Sequence, residues 1–220
     1  MRLRKKEGNK DKLGKKWRRK RIINYFLVFI FILILSTLLY FGLKSGITGA
    51  TTINAASCSR ADVNFAITTA VDGDRVLIPS CAPTTWTSGI SISNKGITIE
   101  GAGIGATTIV NGASGALLFE VYLQAGDPVF IITGLTIDGN NLDTVSKSLI
   151  DIAYPSTGTN TNTFRIHHNE FKNLYGTAIT ANENGAAGSS LIDHNTFQMT
   201  LGAGDKAIRV FVANGGNNNP

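Results

Sequence analysis

All three histidines of this 220-residue chain fall within two closely similar phrases, Ile166-His167-His168-Asn169-Glu170-Phe171 and Ile192-Asp193-His194-Asn195-Thr196-Phe197. If the phrases are successive turns of a repeat, His168 and His194 stand about 4.8 Å apart. Two imidazoles at that separation could move protons or ligate a metal. They could equally be a surface ladder beside a turn. Asp193 and Glu170 add carboxylates to the same stretch. A glycoside hydrolase needs two carboxyls about 5–5.5 Å apart for retention, or about 6.5–9.5 Å for inversion. A lyase needs a base and a charge neutraliser such as Arg, Lys or calcium. Arg165 lies close in sequence, and Arg209 is expected on the same groove two coils on. The candidate catalytic residues are therefore Asp193, His194, His168 and Glu170. The candidate substrate-binding residues are Arg165, Arg209 and Trp86, whose indole could stack on a sugar ring or pack under the first coil.

A repeat must position these groups. Gly96-Ile97-Thr98-Ile99-Glu100-Gly101 returns as Gly134-Leu135-Thr136-Ile137-Asp138-Gly139, and the two His-Asn phrases follow. Aligned, they put Ile99, Ile137, Phe171 and Phe197 at one position, at intervals of 38, 34 and 26 residues. Such self-similarity is the signature of a solenoid. Between the phrases lie short apolar runs (89–92, 97–100, 107–110, 116–122, 129–132, 135–138, 149–153, 163–167, 178–180, 190–193 and 208–212). Their separators are rich in Gly, Asn and Asp, as expected of strands and turns. The separators are too short for crossover helices, which excludes βαβ units. That leaves sandwiches, barrels and parallel β-helices; like residues recurring at 26 residues fit one coil of a solenoid, so the expected fold is all-β, a parallel β-helix with apolar positions stacked inward. Asn169 and Asn195 suit a turn, where Asn tolerates the left-handed region and its amide can bond the next coil.

Ser59-Arg60-Ala61-Asp62 reads as a capping box with Asp for Glu. Val63, Ala66, Ile67, Ala70 and Val71 share one face after it, predicting a short cap helix over 60–71. Arg75-Val76-Leu77-Ile78-Pro79 follows as a strand with its stop signal. Cys58 and Cys81 are the only cysteines. An even count in an exported domain favours a disulfide, which would close a loop of 23 residues; two free, partly buried thiols are the alternative. Their separation, with no flanking His, does not make a zinc spacing.

Export is suggested by the N-terminus. Ile22 to Leu43 carries no charge and would span about 33 Å as a helix, one bilayer core. Residues 1–21 hold 12 Lys/Arg against two acids, which predicts a cytoplasmic tail by the positive-inside rule. An uncleaved anchor fits the length of the apolar run; a cleaved signal peptide is the alternative. Small polar residues 44–57 read as a linker before a domain at 58–220. That body holds 9 Lys/Arg against 13 Asp/Glu over the chain beyond residue 21, so the high pI belongs to the tail and gives no reason to expect nucleic acid as a partner.

The helix with Ala61-Asp62-Val63 near its start, Asp72-Gly73-Asp74-Arg75-Val76, Ile97-Thr98-Ile99-Glu100-Gly101-Ala102-Gly103 and the His-Asn-x-Phe coils together resemble the N-terminal part of pectate-lyase-like right-handed parallel β-helix proteins. The resemblance covers roughly residues 58–213 and implies a polysaccharide or cell-surface glycan as partner. Leu191-Ile192-Asp193-His194 looks like the segment whose Asp helps hold calcium in true pectate lyases. No Trp precedes it, and no second acidic cluster or catalytic Arg motif follows in register. Two functions are expected from this: non-catalytic glycan binding, or lyase or hydrolase action on acidic glycans. The absence of a cap sequence after the last coil also suggests a truncated product, which could lack activity of its own.

Overall fold

A computed structural model describes residues 28–33, 50–112, 117–123, 128–142, 148–153, 163–184, 190–200 and 206–213. Residues 28–33 are helical and exposed; the rest of the expected 22–43 span lies outside the described residues. Among the described residues, no helix is long and apolar enough to cross a membrane. The N-terminal unit, Met1–Thr48, is separate from a body at Gly49–Pro220.

Strands of three to six residues, most with alternating burial, build the body. Sheet A contains β1 (Thr52–Asn54), β2 (Arg75–Ile78), β5 (Thr98–Gly101), β8 (Phe130–Thr133), β11 (Phe164–His167) and β14 (Leu191–Asp193), in that order. Sheet B contains β3 (Cys81–Trp86), β6 (Thr107–Asn111), β9 (Thr136–Asp138), β12 (Glu170–Leu174) and β15 (Thr196–Met199). Sheet C contains β4 (Ile90–Ser93), β7 (Phe119–Tyr122), β10 (Ile150–Ala153), β13 (Ile179–Asn184) and β16 (Ile208–Ala213). Every pairing is parallel. The chain visits A, B and C in turn, so each circuit adds one strand to each sheet: a parallel β-helix solenoid, with five circuits among the described residues.

Inward positions stack. On sheet A the column is Ile53, Val76, Ile99, Ile132, Ile166, Ile192, in steps of 23, 23, 33, 34 and 26 residues. On sheet B, Ile109, Ile137, Phe171 and Phe197 are aligned, and the two phenyl rings stack 5.0 Å apart. The expected alignment of Ile99 with Ile137 is therefore wrong: they lie on different sheets. The Gly-x-Thr-Ile wording occurs once leading into β5 of sheet A and once leading into β9 of sheet B, so the two phrases match in sequence without sharing a face. The true partner of Ile99 is Ile132. Each fully buried Ile or Phe of these columns is worth about 1.5–3 kcal/mol relative to exposure.

The cap is largely as expected. Ser59 is the N-cap, and its Oγ accepts from the Asp62 N–H at 3.1 Å. The helix spans Arg60–Thr69 and buries Val63, Ala66 and Ile67. It stops short of Val71, which is exposed, because Ala70 is extended and the Val71 N–H donates to Asp74 instead. Lys95 Nζ donates to the carbonyls of Ile67, Thr68 and Ala70 at 2.7–3.0 Å, satisfying and neutralising the helix C-terminus.

Cys58 and Cys81 are bonded, with Cα atoms 6.3 Å apart, tying the residue before the N-cap of the cap helix to the start of β3. The 44–57 linker is corrected from Thr52 on. Thr51 donates through its N–H and its hydroxyl to Asp74 Oδ1 at 2.9 and 2.8 Å, which sets β1 along β2 and covers that edge of sheet A.

Candidate functional site

Outward residues of sheet A form two columns. One runs Thr52, Arg75, Thr98, Ile131, Arg165, Leu191; the other runs Asn54, Leu77, Glu100, Thr133, His167, Asp193. The parallel register makes an arginine of the first column reach diagonally to the acid of the next circuit in the second. Arg75 pairs with Glu100 this way. Arg165 does the same with Asp193, as a fork: Nε donates to Oδ1 at 2.9 Å and Nη2 to Oδ2 at 2.7 Å. His194 Nδ1 is 2.6 Å from Asp193 Oδ2. The guanidinium hydrogen bonds first, then His194, hold the Asp193 carboxyl far below the usual carboxylate range.

His168 and His194 meet as the spacing implied, stacked at 4.9 Å and 4° from parallel. Both sit in the left-handed region, with φ of 54° and 55°. The asparagines after them do not, which corrects the turn assignment. Their amides do bond across circuits, as expected. Asn169 Oδ1 accepts from Leu135 N–H (3.1 Å), its Nδ2 donates to the Ile132 and His167 carbonyls (3.1 and 2.9 Å), and Asn195 Nδ2 donates to the Ile166 carbonyl (2.7 Å).

The expected catalytic set is thus only partly assembled. Asp193, His194 and His168 share a corner. Glu170 lies past the turn on sheet B, where it accepts from the Thr136 hydroxyl at 2.9 Å and aligns with Thr136 and Thr196. An ionised Asp193 held by a guanidinium is a poor general acid, and its two oxygens are already engaged, so the corner does not suit calcium. Among the described residues, no group of three or more His, Cys, Asp or Glu is arranged to hold a metal.

Two proposed binding residues are corrected. Trp86 is 1% exposed, donates from Nε1 to the Cys58 carbonyl at 2.9 Å and meets Phe119 edge-on; it packs the first circuit and cannot stack on a sugar. Arg209 belongs to sheet C, aligned with Thr180, and so shares no face with Arg165. The Ser- and Thr-rich stretch 156–163, whose wording suggests a loop bulging from one turn, lies outside the described residues up to 162.

Sheet C carries a surface the sequence reading passed over. Its outward columns are Ser91, Glu120, Asp151, Thr180, Arg209, and Ser93, Tyr122, Ala153, Asn182. Tyr122 is 41% exposed, and its hydroxyl donates to Glu120 Oε1 at 2.8 Å. That hydrogen bond, then burial and the charges of Glu120 and Asp151, raise the phenol above its usual value. Asn182 Nδ2 donates to Asp151 Oδ1 at 3.3 Å. Beside them, a cavity of about 320 Å³ is lined by Thr87, Ser88, Gly89, Ile90, Ser91, Leu117 and Glu120. Arg60 braces its rim from the cap helix, donating through Nε and Nη2 to the Gly89 carbonyl at 2.9 and 2.7 Å. The signal was the alternation Phe119-Glu120-Val121-Tyr122, which aims Glu120 and Tyr122 outward together.

Comparison with family models, with curated proteins and with solved structures found no match to this chain.

Proposed function

We propose that this chain is a glycan-binding β-helix protein, held at or released from the membrane with its body outside the cytoplasm, and that it binds polysaccharide on the outer face of sheet C without cleaving it. The observation that carries this reading is Tyr122 oriented by Glu120 beside Asp151 and the adjoining cavity. A phenol offers an apolar face to the C–H side of a sugar ring, and neighbouring carboxylates and hydroxyls accept and donate to its hydroxyl groups. The preformed Tyr–Glu contact lowers the ordering cost of binding. Two neighbouring carboxylates disfavour acidic glycans, so the partner is a neutral or amino sugar polymer. The right-handed sense and the pectate-lyase-like relationship belong to the same proposal. Parallel strands joined by a crossover almost always wind right-handedly. The disulfide supports an oxidising compartment, and the apolar 22–43 run supports an anchor or a cleaved signal.

Cleavage of acidic glycans at the sheet A corner has weaker support, since Asp193 is locked to Arg165 and Glu170 faces another sheet. The test is retention of the detergent-solubilised full chain on a panel of neutral, amino and acidic polysaccharides, with reducing-end release measured in parallel. Tyr122→Ala and Glu120→Gln are each expected to weaken binding about tenfold or more. Retention of no polysaccharide at all would sink the binding reading. Product release abolished by Asp193→Ala would move the function to the other face.

A further inference from the structure

Three imidazoles meet where sheet A turns into sheet B, on a surface the glycan reading does not use. His167 closes β11, and His168 and His194 hold equivalent turn positions one circuit apart. The His167 and His168 rings meet edge-on at 5.0 Å, with their Nδ1 atoms 2.8 Å apart, and His168 stacks on His194. A neutral imidazole has one N–H and one lone pair. The Nδ1–Nδ1 contact therefore forms only while one of the pair lacks a proton there. Protonating both aims two N–H groups at each other, and protonating the stack sets like charges face to face.

The surroundings give little relief. On β11 the charged neighbour is Arg165, on β14 it is Asp193, and β12 carries Glu170 and, further along, Lys172, whose Nζ is 4.0 Å from Asp138 Oδ2. Packed against β11 from the other side, β8 presents Ile131 and Thr133, without charge; Thr133 Oγ1 lies 3.2 Å from His167 Nδ1. Asp193 is already matched by Arg165, and Glu170 is engaged by Thr136. His194 alone gains a carboxylate partner on charging, at 2.6 Å. One carboxylate shared with a guanidinium thus stands against three imidazolium groups.

We propose that this corner is an acid-sensitive latch: neutral imidazoles hold the fifth circuit, β14 to β16, against the fourth, and protonation releases β14 from β11. Burial first, then the charges of Arg165 and His168, hold the His167 imidazole below its ordinary value of 6.5. An opened corner therefore takes up a proton more readily than a closed one. The His167 contribution is fully present above pH 6.5 and is lost as pH falls from there toward its folded value. Asp193 acts in a separate window. Its contribution is present above its ordinary 3.8 and is lost only below that, so titration of Asp193 plays no part in a release that occurs in the imidazole range.

Hydrogen exchange of the full chain at pH 7.5 and 5.5, corrected for the intrinsic pH dependence of exchange, tests the latch. In the wild type, protection of β14 and β15 is expected to fall at least tenfold more than that of β5 and β6 on acidification. His168→Asn/His194→Asn keeps residues that tolerate the left-handed backbone and should reduce this difference; adding His167→Gln should abolish it. Equal loss of protection along the wild-type solenoid, or an undiminished difference in the Asn variants, would overturn the proposal. If a variant fails to fold, the wild-type comparison alone decides.

Discussion

At the scale of single residues, a polar group inside a solenoid acts through the circuit above or below it. Asn169 is 0% exposed, and its amide closes bonds to the neighbouring circuits on both sides. Asn169→Ala strands the Leu135 N–H and the Ile132 carbonyl in the core and should cost about 2–3 kcal/mol, whereas the half-buried Asn195→Ala should cost about 1. The check is the urea midpoint at unchanged slope. Asp74 works similarly under the cap. Backbone N–H donation from Val71, then from Thr51, and the Thr51 hydroxyl lower its carboxyl pKa, outweighing the opposing effect of burial. Its stabilising contribution is therefore fully present above pH 3.8 and is lost as pH falls through its folded value. Asp74→Asn should lower the melting temperature at pH 7 and flatten its dependence on pH below 4. An unchanged acid limb would assign that slope to other carboxylates.

At the scale of elements, what could be read from sequence depended on how much of each strand's stability is local. The apolar alternation of β5, β8, β10 and β11 is written in their own residues. Four strands are not written that way. β1 has no apolar alternation, and its place comes from Asp74 and β2. β3 holds Pro83 at a register shift on an edge strand, a position proline tolerates. β12, Glu-Phe-Lys-Asn-Leu, is rich in types that strands disfavour, and Asn173 has a φ of 50°. It and β15 exist because Phe171 and Phe197 stack on the Ile137 column. The site was less legible for the same reason. Which acids and aromatics share a face depends on register, and the register was read across sheets at Ile99. The cap was readable because its signals are adjacent in sequence. It also gives a separable test: Cys58→Ser/Cys81→Ser should cost about 3 kcal/mol on a 23-residue loop. Lys95→Met, which keeps the stem and removes the ammonium, should cost about 1 kcal/mol. Thermal unfolding of each, with and without reductant, measures both, and the wild type under reductant should match the Ser variant.

At the scale of the whole body, each circuit touches only its neighbours, so stability is a chain of nearest-neighbour terms and not one global core. Position along the axis then decides what a mutation does. Phe171 is fully buried between Ile137 and Phe197, while Phe197, on the last described strand of sheet B, is only partly buried. Phe171→Ala should cost about 3–5 kcal/mol, because its cavity sits between two circuits that depend on it. Phe197→Ala removes a smaller buried area and should cost well under that. The distinguishing measurement is the spatial pattern of the loss. Amide exchange in Phe171→Ala should rise in β9, β12 and β15 together. In Phe197→Ala it should rise in β15, with β6 and β9 keeping wild-type protection. A uniform rise along the axis in both variants would mean that the circuits melt as one unit, and that release of β14 at the histidine corner could not occur without unfolding the glycan-binding face of sheet C.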